Sequence, residues 1–502
     1  MGAGRAGVLA ALGAFWLAAG TMSCVLDWAS LEPLGSAGAG GSGGQGGGAA
    51  GSGGMGAGVG AEGGTGGDTG GEGGMGPLPR VAWARFLGGA SLDAASGLAH
   101  DAQGRLWVAG RFTDSADLAG HAVVSAGGED GFVMVFDADG TPGAVTTFGG
   151  LGVDRPVGLA RAASGRMAVV GQFEGTASAG GLTYTSQGGS DVFVLVLTPD
   201  GVPDCVVTLG GLGDVMAGEV EAAQGSFYVV GRFQGTLTLG GTDYTAQGLD
   251  GFSAVIDETC TYERGAVLPS TGDVYVWDVA AAADGRSWLG LDSSAGVDFG
   301  SGPVAHAGGD DAYVARFDPD GGFVGVTTLS APMAQVAPRL GLTPNGEIWA
   351  YGGFQGSVPL GSATLTSAGG FDIYGLRLDA TGAVLFSEAL GGAGREVADE
   401  VAAGPSGEVA VGGVFDGPAD FGDGLRTPVG GGDVFAFVRE ADGSPRWSFV
   451  IGSALDDDPG AIHVMPDGHV ALAGVVGGAT TIGDVDHPGF GDYDIFVTML
   501  RP

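Results

Sequence analysis

The sequence contains no lysine and is short of histidine and cysteine, and these shortages limit what the protein can do. Its 19 basic residues are all arginines and stand against 57 acidic residues, which gives a formal net charge of −38. Nucleic acids and anionic membrane surfaces are bound through basic patches, so this charge argues against both as partners. The six histidines are scattered without metal-ligand spacing, and no nucleophile elbow, phosphate-binding loop or zinc motif occurs. We therefore predict no catalytic residues from sequence motifs.

Long apolar runs are also absent, with one exception near the amino terminus. Arg5 precedes an apolar run at residues 8–20, which is short for a membrane span and typical of a secretory signal peptide. The following TMSC resembles a bacterial lipoprotein box ending at Cys24, although Thr21 stands where leucine is usual. We predict a signal peptide at residues 1–23 and lipid modification of Cys24. Ordinary cleavage, which would release a secreted protein, is the alternative.

Residues 24–80 form a linker that has almost nothing to bury. From about Gly35 to Gly76 the linker is nearly all glycine with alanine, serine and a few acids, a composition typical of a disordered tether. As a flexible coil it would reach on the order of 40 Å. We expect it to hold a folded head away from a membrane, at the outer membrane or cell surface.

The remainder of the chain, residues 81–502, is built from a repeat. An aspartate followed two residues later by phenylalanine or tyrosine recurs at spacings of 61, 59, 61, 61, 61 and 61 residues. We call these the strand-three aspartates: Asp130, Asp191, Asp250, Asp311, Asp372, Asp433 and Asp494. A glycine pair keeps the same step, as in FLGG at 86–89 and ALGG at 389–392, and is degenerate in three copies. Seven copies therefore fill this part of the chain.

Each copy has the pattern of four antiparallel β-strands. Residues 191–201, for example, form a continuous apolar run ended by a turn, as expected for a strand covered on both faces. Four strands repeated seven times predict an all-β fold, a seven-bladed β-propeller. Because an isolated outer-strand copy opens the folded part at 81–89 and a third-strand copy ends it at 494–502, we expect the first strand to complete the last blade and close the ring.

The units also resemble a family, the secreted bacterial β-propeller repeats known as SBBP. The resemblance rests on the LGG outer strand, on GRLWVAGRF at 104–112 and on GGSDVFV at 188–194, and it covers residues 81–502. It implies an exported seven-bladed propeller. It says little about function, because propellers host both binding and catalysis.

The predicted topology places two sets of acids on one face of the disc. We expect the strand-three aspartates to accept backbone N–H groups of neighbouring loops and so to tie blade to blade. The loop leading to each inner strand carries the second set, the inner-loop acids, which Gln335 interrupts: Asp93, Asp154, Asp214, Asp273, Glu396 and Asp457. Because gathered carboxylates repel one another and calcium takes oxygen ligands, calcium at the inner-loop acids is the alternative to a protein without cofactors.

Blade four breaks the symmetry of the repeat. Its sequence TGDVYVWD places Tyr275 and Trp277 at the mouth of the inner strand, where other copies have small residues such as Ser96. An aromatic pair beside Asp273 and Asp278 on the loop-rich face is a candidate ligand-binding site. A packing variant of a degenerate copy is the alternative interpretation.

Cys205 and Cys260 lie near one rim of adjacent predicted blades. A disulfide between them is possible in an exported protein. The radial spread of neighbouring blades argues against it, because α-carbons more than about 7 Å apart cannot be bridged.

Two functional hypotheses follow. The first is a non-enzymatic binding or scaffold module, monomeric and lipid-anchored, that binds a protein or glycan through its acidic loop face. The second is an extracellular lyase or hydrolase with its site in the central channel. An asymmetric cluster of His, Arg, Tyr and carboxylates facing the channel would favour the enzyme. The sequence indicates only the aromatic pair of blade four.

Overall fold

A computed structural model describes residues 79–361 and 363–502, and every regular element in these ranges is a β-strand. No helix among them is long and apolar enough to cross a membrane. The predicted signal peptide, Cys24 and nearly all of the linker lie outside the described residues.

Most strands belong to four-stranded antiparallel units, which follow one another along the chain from inner to outer strand. The first strand, β1 (Arg80–Gly89), precedes the first complete unit. The first three units consist of β2 (Ala94–His100), β3 (Leu106–Leu118), β4 (His121–Phe136) and β5 (Pro142–Gly150); of β6 (Asp154–Arg161), β7 (Met167–Ala179), β8 (Leu182–Leu197) and β9 (Pro203–Leu209); and of β10 (Gly213–Ala223), β11 (Ser226–Leu239), β13 (Asp250–Asp257) and β14 (Tyr262–Leu268). The next two units consist of β15 (Val274–Ala281), β16 (Ser287–Ser293), β17 (Asp311–Phe317) and β18 (Phe323–Leu329), and of β19 (Arg339–Leu342), β20 (Ile348–Phe354), β23 (Asp372–Leu378) and β24 (Val384–Gly392). The last two units consist of β25 (Glu396–Ala403), β26 (Val409–Phe415), β29 (Asp433–Arg439) and β30 (Pro445–Ile451), and of β31 (Asp457–Val464), β32 (Val470–Val476) and β35 (Asp494–Arg501). Short strands extend the hairpins: β12 (Thr242–Thr245), β21 (Ser357–Leu360), β22 (Ala363–Thr366), β27 (Ala419–Asp420), β28 (Leu425–Arg426), β33 (Thr480–Ile482) and β34 (Val485–His487).

The first strand of the chain pairs with the last. β1 runs antiparallel to β35, with Arg80 opposite Arg501 and Leu87 opposite Ile495. β1 is therefore the outer strand of the unit that begins with β31. The Thr498 hydroxyl adds a hydrogen bond of 3.0 Å to the carbonyl oxygen of Trp83.

The inner strands lie side by side, and the units pack face to face. Each inner strand contacts the inner strand of the next unit, and β31 contacts β2. The aromatic residue two places after each strand-three aspartate is fully buried, because side chains alternate along a strand and this one points between two sheets. This is the strand arrangement of a β-propeller.

The glycine pairs mark places where the end of an outer strand joins the next unit. Gly150 pairs with Ala177 in β7, and Gly392 pairs with Ala419 in β27. A Cβ atom on Gly150 would overlap the carbonyl oxygen of Thr176, so only glycine fits there. The repeated glycine pair therefore records close backbone contact between neighbouring units.

Cys205 and Cys260 form a disulfide, so the argument against this bridge was wrong. Their α-carbons are 6.1 Å apart. Cys205 lies in β9, and Cys260 lies in the tight turn between β13 and β14, with a positive φ of 63°. Both cysteines pack against the same hydrophobic cluster between these two units. The turn thus sits close to the neighbouring outer strand, and the units do not spread apart there.

Candidate functional site

The strand-three aspartates are buried and accept hydrogen bonds from the loop that precedes them. Asp191 accepts the backbone N–H of Gln187 at 2.7 Å, and five others make the same contact with the residue four places earlier: Asp130, Asp311, Asp372, Asp433 and Asp494. Asp191 also accepts the N–H of Gly211 at 3.4 Å, at the end of the outer strand. Asp191, and Asp250 through the N–H of Ser270 at 3.2 Å, therefore link the third strand to the end of the outer strand that leads into the next unit.

Four inner-loop acids make a related contact. Asp93, Asp154, Glu396 and Asp457 are buried and accept the backbone N–H of the residue four places earlier, at 2.6, 2.8, 2.9 and 2.5 Å. Gln335, which interrupts the set, accepts the corresponding N–H through its side-chain oxygen at 3.1 Å. The contact therefore requires an acceptor oxygen and not a negative charge.

The strand register removes Asp214 and Asp273 from this set, which corrects their assignment. Val215 and Val274, both buried, occupy in β10 and β15 the place that Asp154 holds in β6. The two aspartates lie one residue earlier and accept the N–H groups of Ser190 and Leu249 in the preceding unit, at 3.1 and 3.0 Å. In these two copies the acid comes three residues after the glycine pair, or after its degenerate equivalent, instead of four. The acid is therefore shifted by one position in the strand register.

Each of the four buried inner-loop acids lies beside a strand-three aspartate of the preceding unit. Burial raises the pKa of Asp93 and of Glu396 to about 7, and the charges of Asp494 and Asp372 add to the rise. A Cβ atom on Gly88 would lie 2.7 Å from an oxygen of Asp494 and 2.9 Å from one of Asp93, so the glycine leaves room for both carboxyl groups. Such a pair favours a proton on one of its members near neutral pH.

The inner-loop acids are the residues at which calcium binding was predicted. Calcium takes six to eight oxygen ligands, whereas the four buried acids point to backbone N–H groups. Among the residues that the structure describes, no group of three or more His, Cys, Asp or Glu side chains is placed to hold a metal ion. Calcium binding stays a prediction that thermal unfolding with calcium and with EDTA would test.

The predicted aromatic pair stacks at the start of β15. The ring centroids of Tyr275 and Trp277 are 6.1 Å apart, and their planes differ by 8°. The guanidinium of Arg232 lies over both rings, 5.2 Å from the centroid of Tyr275 and 4.5 Å from that of Trp277. The guanidinium of Arg339 lies 5.5 Å from the Trp277 ring and donates a hydrogen bond of 2.9 Å to the Trp277 carbonyl oxygen. The pair thus holds two arginines by cation–π contacts.

Four charged residues occupy the same position of consecutive inner strands. They are Glu219 in β10, Asp278 in β15, Arg339 in β19 and Glu400 in β25, at steps of 59, 61 and 61 residues, and we call them the charged layer. The charges of the three acids, together with Asp399, raise the pKa of Arg339. The other inner strands carry small residues at this position: Gly97, Gly158 and Ala461.

The charged layer lines a cavity of about 270 Å³ to which every inner strand contributes. One wall carries the charged layer and Glu221, and the opposite wall includes Gly97, Ala461 and Ser96. Ser96 is only 8% exposed. Its hydroxyl has no hydrogen-bond partner among the described residues. The channel is therefore asymmetric, with polar groups on both sides.

More acidic than basic side chains line the cavity. Burial raises the pKa of Glu400 to about 8 and that of Asp278 to about 6. The pKa of Glu219 is well above its usual range, through burial first and then the charge of Asp278. These acids consequently share protons near neutral pH.

Two histidines meet where β2 contacts β31. Nδ1 of His100 and Nε2 of His463 are 2.7 Å apart. Burial lowers the pKa of His463 to about 3 and, with the charge of Arg161, also lowers that of His100. Both imidazoles are therefore neutral at physiological pH, and one donates to the other. His463 also lines the cavity.

Among the residues that line the cavity, the sequence prediction selected Asp278 and missed the others. It selected Tyr275, Trp277 and Asp278, but not Glu219, Arg339 or Glu400, which share the position of Asp278. A β-bulge interrupts the inner strands just before this position, between Ala217 and Glu219 and at the equivalent places of five other inner strands. A bulge breaks the alternation of side chains, so periodicity does not show what faces the cavity. Aligning the copies at the spacing of the repeat would have shown that these charged residues share one position.

The fold and the site define an all-β protein of the β-propeller class with a charged, asymmetric central cavity. Neither a known family model nor a curated protein matches the chain. Solved structures similar to it include the WD40 domain of Neurospora crassa Pan2, with a TM-score of 0.38 and 11% identity over 82% of this chain and 90% of that one. A subtype N11 neuraminidase-like protein of A/flat-faced bat/Peru/033/2010 (H18N11) has a TM-score of 0.37 and 11% identity over 85% and 95%. A Bacteroides caccae protein of unknown function has a TM-score of 0.35 and 9% identity over 64% and 89%. These similarities are too low to indicate a function.

Proposed function

We propose that this chain is an exported β-propeller of seven blades that acts as a non-enzymatic binding module. The seven repeats, the pairing of β1 with β35 and the contact of β31 with β2 support a ring closed by the first strand. The net charge of −38 favours partners that are neutral or positively charged, which here means a protein or a glycan. The proposed module is a monomer and binds at the loop-rich face and the cavity beneath it.

The proposal places this module at the outer membrane or cell surface, or in secreted form if Cys24 is not modified. The support is the sequence alone: the apolar run at 8–20, the lipoprotein-like box and the glycine-rich segment. Replacing Cys24 with serine should move the full chain from the membrane fraction to the soluble fraction. Membrane association that persists in Cys24→Ser would argue against a lipid anchor.

The observation that carries the binding proposal is the charged layer. Buried carboxyl groups with raised pKa values cost stability, and a fold that needs only a plugged channel can use small apolar residues, as Gly97, Gly158 and Ala461 do. Charged groups placed on one wall of a cavity are a feature of ligand sites.

Binding can be tested with the full chain on a glycan array and a library of basic peptides. We expect a ligand whose binding is changed by Arg339→Gln, weakened for a glycan and tightened for a basic peptide, and unchanged by Asp139→Asn, which alters an exposed turn acid. Equal binding by both variants would place the site elsewhere.

One observation favours the enzymatic alternative, a lyase or hydrolase in the channel. The cavity combines Arg339 and His463 with carboxyl groups whose pKa values lie near neutrality, as general acids and bases require. Mass spectrometry of the bound ligand after incubation separates the two functions. An unchanged ligand supports binding, and cleavage that Glu400→Gln abolishes supports the enzyme.

A further inference from the structure

We propose that the central cavity binds a compact organic cation, an alkylamine or guanidinium group, between the charged layer and Ser96. This inference rests on the proposed function, in which the cavity is the binding site, and it names the chemical class of the ligand.

The charge of the cavity selects a cation. Four acids line it, Glu219, Glu221, Asp278 and Glu400, and Arg339 is the one arginine among its lining residues. An anion would find one positive group, Arg339, among four acids that become negative as they lose their protons. A cation would instead replace the protons that these acids hold, so its binding releases protons to the solvent.

Arg339 shows how such a cation would be held. Its guanidinium is stabilised by the charges of acids on neighbouring strands, faces the Trp277 ring at 5.5 Å and donates to a backbone carbonyl oxygen at 2.9 Å. These are the groups that recognise guanidinium and ammonium ligands. Because one arginine does not neutralise four acids, the wall retains acceptors for a second cation.

The opposite wall supplies space and a further polar contact. A Cβ atom on Gly158 would overlap a carboxylate oxygen of Glu219, so the small residue makes room for the acid beside the cavity. Ser96 is 8% exposed and lines the cavity, and its hydroxyl has no partner among the described residues. A buried hydroxyl normally finds a hydrogen bond, so Ser96 is placed to accept one from the N–H of a ligand. The volume of about 270 Å³ suits a small molecule.

The same geometry favours an organic cation over a metal ion. The acids come from β10, β15 and β25, and no group of three such side chains in the described parts of the chain is placed around one point. A metal ion needs its ligands around one centre, whereas an extended amine places its charges at separate acids.

The test is isothermal titration of the full chain with 1,4-diaminobutane, with 1,4-butanediol as the neutral match and calcium chloride as the metal match. We expect saturable binding of the diamine alone, with a heat that depends on the ionisation enthalpy of the buffer because protons are released. Glu400→Gln should weaken binding by roughly tenfold or more, since a charged hydrogen bond is lost. Ser96→Ala should weaken it several-fold, and Asp139→Asn should leave it unchanged.

Arg339→Gln should change the affinity for the diamine in the opposite direction from Glu400→Gln. Removing the positive charge should tighten binding of the diamine, because the wall becomes more negative. The inference is overturned if the diamine and the diol bind equally, if only calcium binds, or if Glu400→Gln has no effect. If the diamine fails while a glycan or peptide still binds in an Arg339-dependent way, the ligand class is wrong and the proposed function stands. If no probe binds, both are wrong.

Discussion

At the scale of single residues, the buried acids between units show that position matters more than charge. Gln335 accepts the same kind of backbone N–H that Glu396 accepts, and both side chains are fully buried. A carboxylate in this place adds the free-energy cost of a buried charge near a second acid. Stability should therefore depend on pH at the units that carry the acid.

Glu396→Gln should remove part of this dependence. Burial raises the folded-state pKa of Glu396 to about 7, above an unfolded value of about 4.3. The folded protein then binds more protons, so the stabilising contribution is complete below about pH 4 and is lost as the pH rises through 7. The variant should unfold at the same temperature as the wild type at pH 5 and be more stable by about 2–3 kcal/mol at pH 8.5.

Calorimetry between pH 5 and 9 measures this difference, and Gln335→Glu is the matched control. That substitution should introduce the same pH dependence at the preceding junction. Identical melting curves for Glu396→Gln and wild type across this range would contradict the assigned pKa.

At the scale of strands, the repeat could be read from the sequence more reliably than the register within a strand. The apolar third strands and glycine pairs recur at a fixed step, so the order of strands could be predicted from them. The prediction placed Asp214 one position from its true place in the strand register, because this acid comes three residues after the glycine pair instead of four. Glu219 and Glu400 were missed because the preceding bulge hides which side chains face the cavity. Local irregularities of this kind depend on contacts between units, which a single sequence does not display.

The glycine pairs provide a prediction at this scale. Gly150→Ala should destabilise the protein by on the order of 2–4 kcal/mol, because its Cβ would overlap a carbonyl oxygen of the next unit and overpacking forces the backbone apart. Gly412→Ala is the control, since its Cβ would make ordinary contacts of 3.6 to 3.8 Å. Chemical denaturation of both variants measures the difference. Equal midpoints would mean that the outer strands do not constrain the junction.

The disulfide provides a second prediction at the scale of strands. Cys205 and Cys260 are separated by 55 residues and join adjacent units. Closing a loop of this length should contribute about 2–4 kcal/mol, so reduction or Cys205→Ser should lower the urea midpoint. Peptide mapping without reductant checks the bridge itself. A midpoint unaffected by reductant would show that the bridge adds no stability.

At the scale of the whole molecule, the first and last strands carry the proposed closure. Seven repeats with an isolated outer strand at one end could be recognised from the sequence, because repetition and turn residues are local signals. The site could not be recognised in the same way. Its members, such as Glu219 and Arg339, are far apart in the chain and meet only when the inner strands surround a common cavity.

Deleting residues 80–89 tests the closure. β1 pairs with β35 and covers the hydrophobic cluster that contains Trp83 and Leu87, so its loss would expose a sheet edge and apolar surface at once. We expect the melting temperature to fall by many degrees, and hydrogen exchange to show loss of protection in β35 before other third strands. Deleting residues 60–69 of the linker is the matched control and should leave both measurements unchanged. If the two deletions melt alike, β1 does not close the ring, and the units must hold their arrangement through the contacts of inner strands alone.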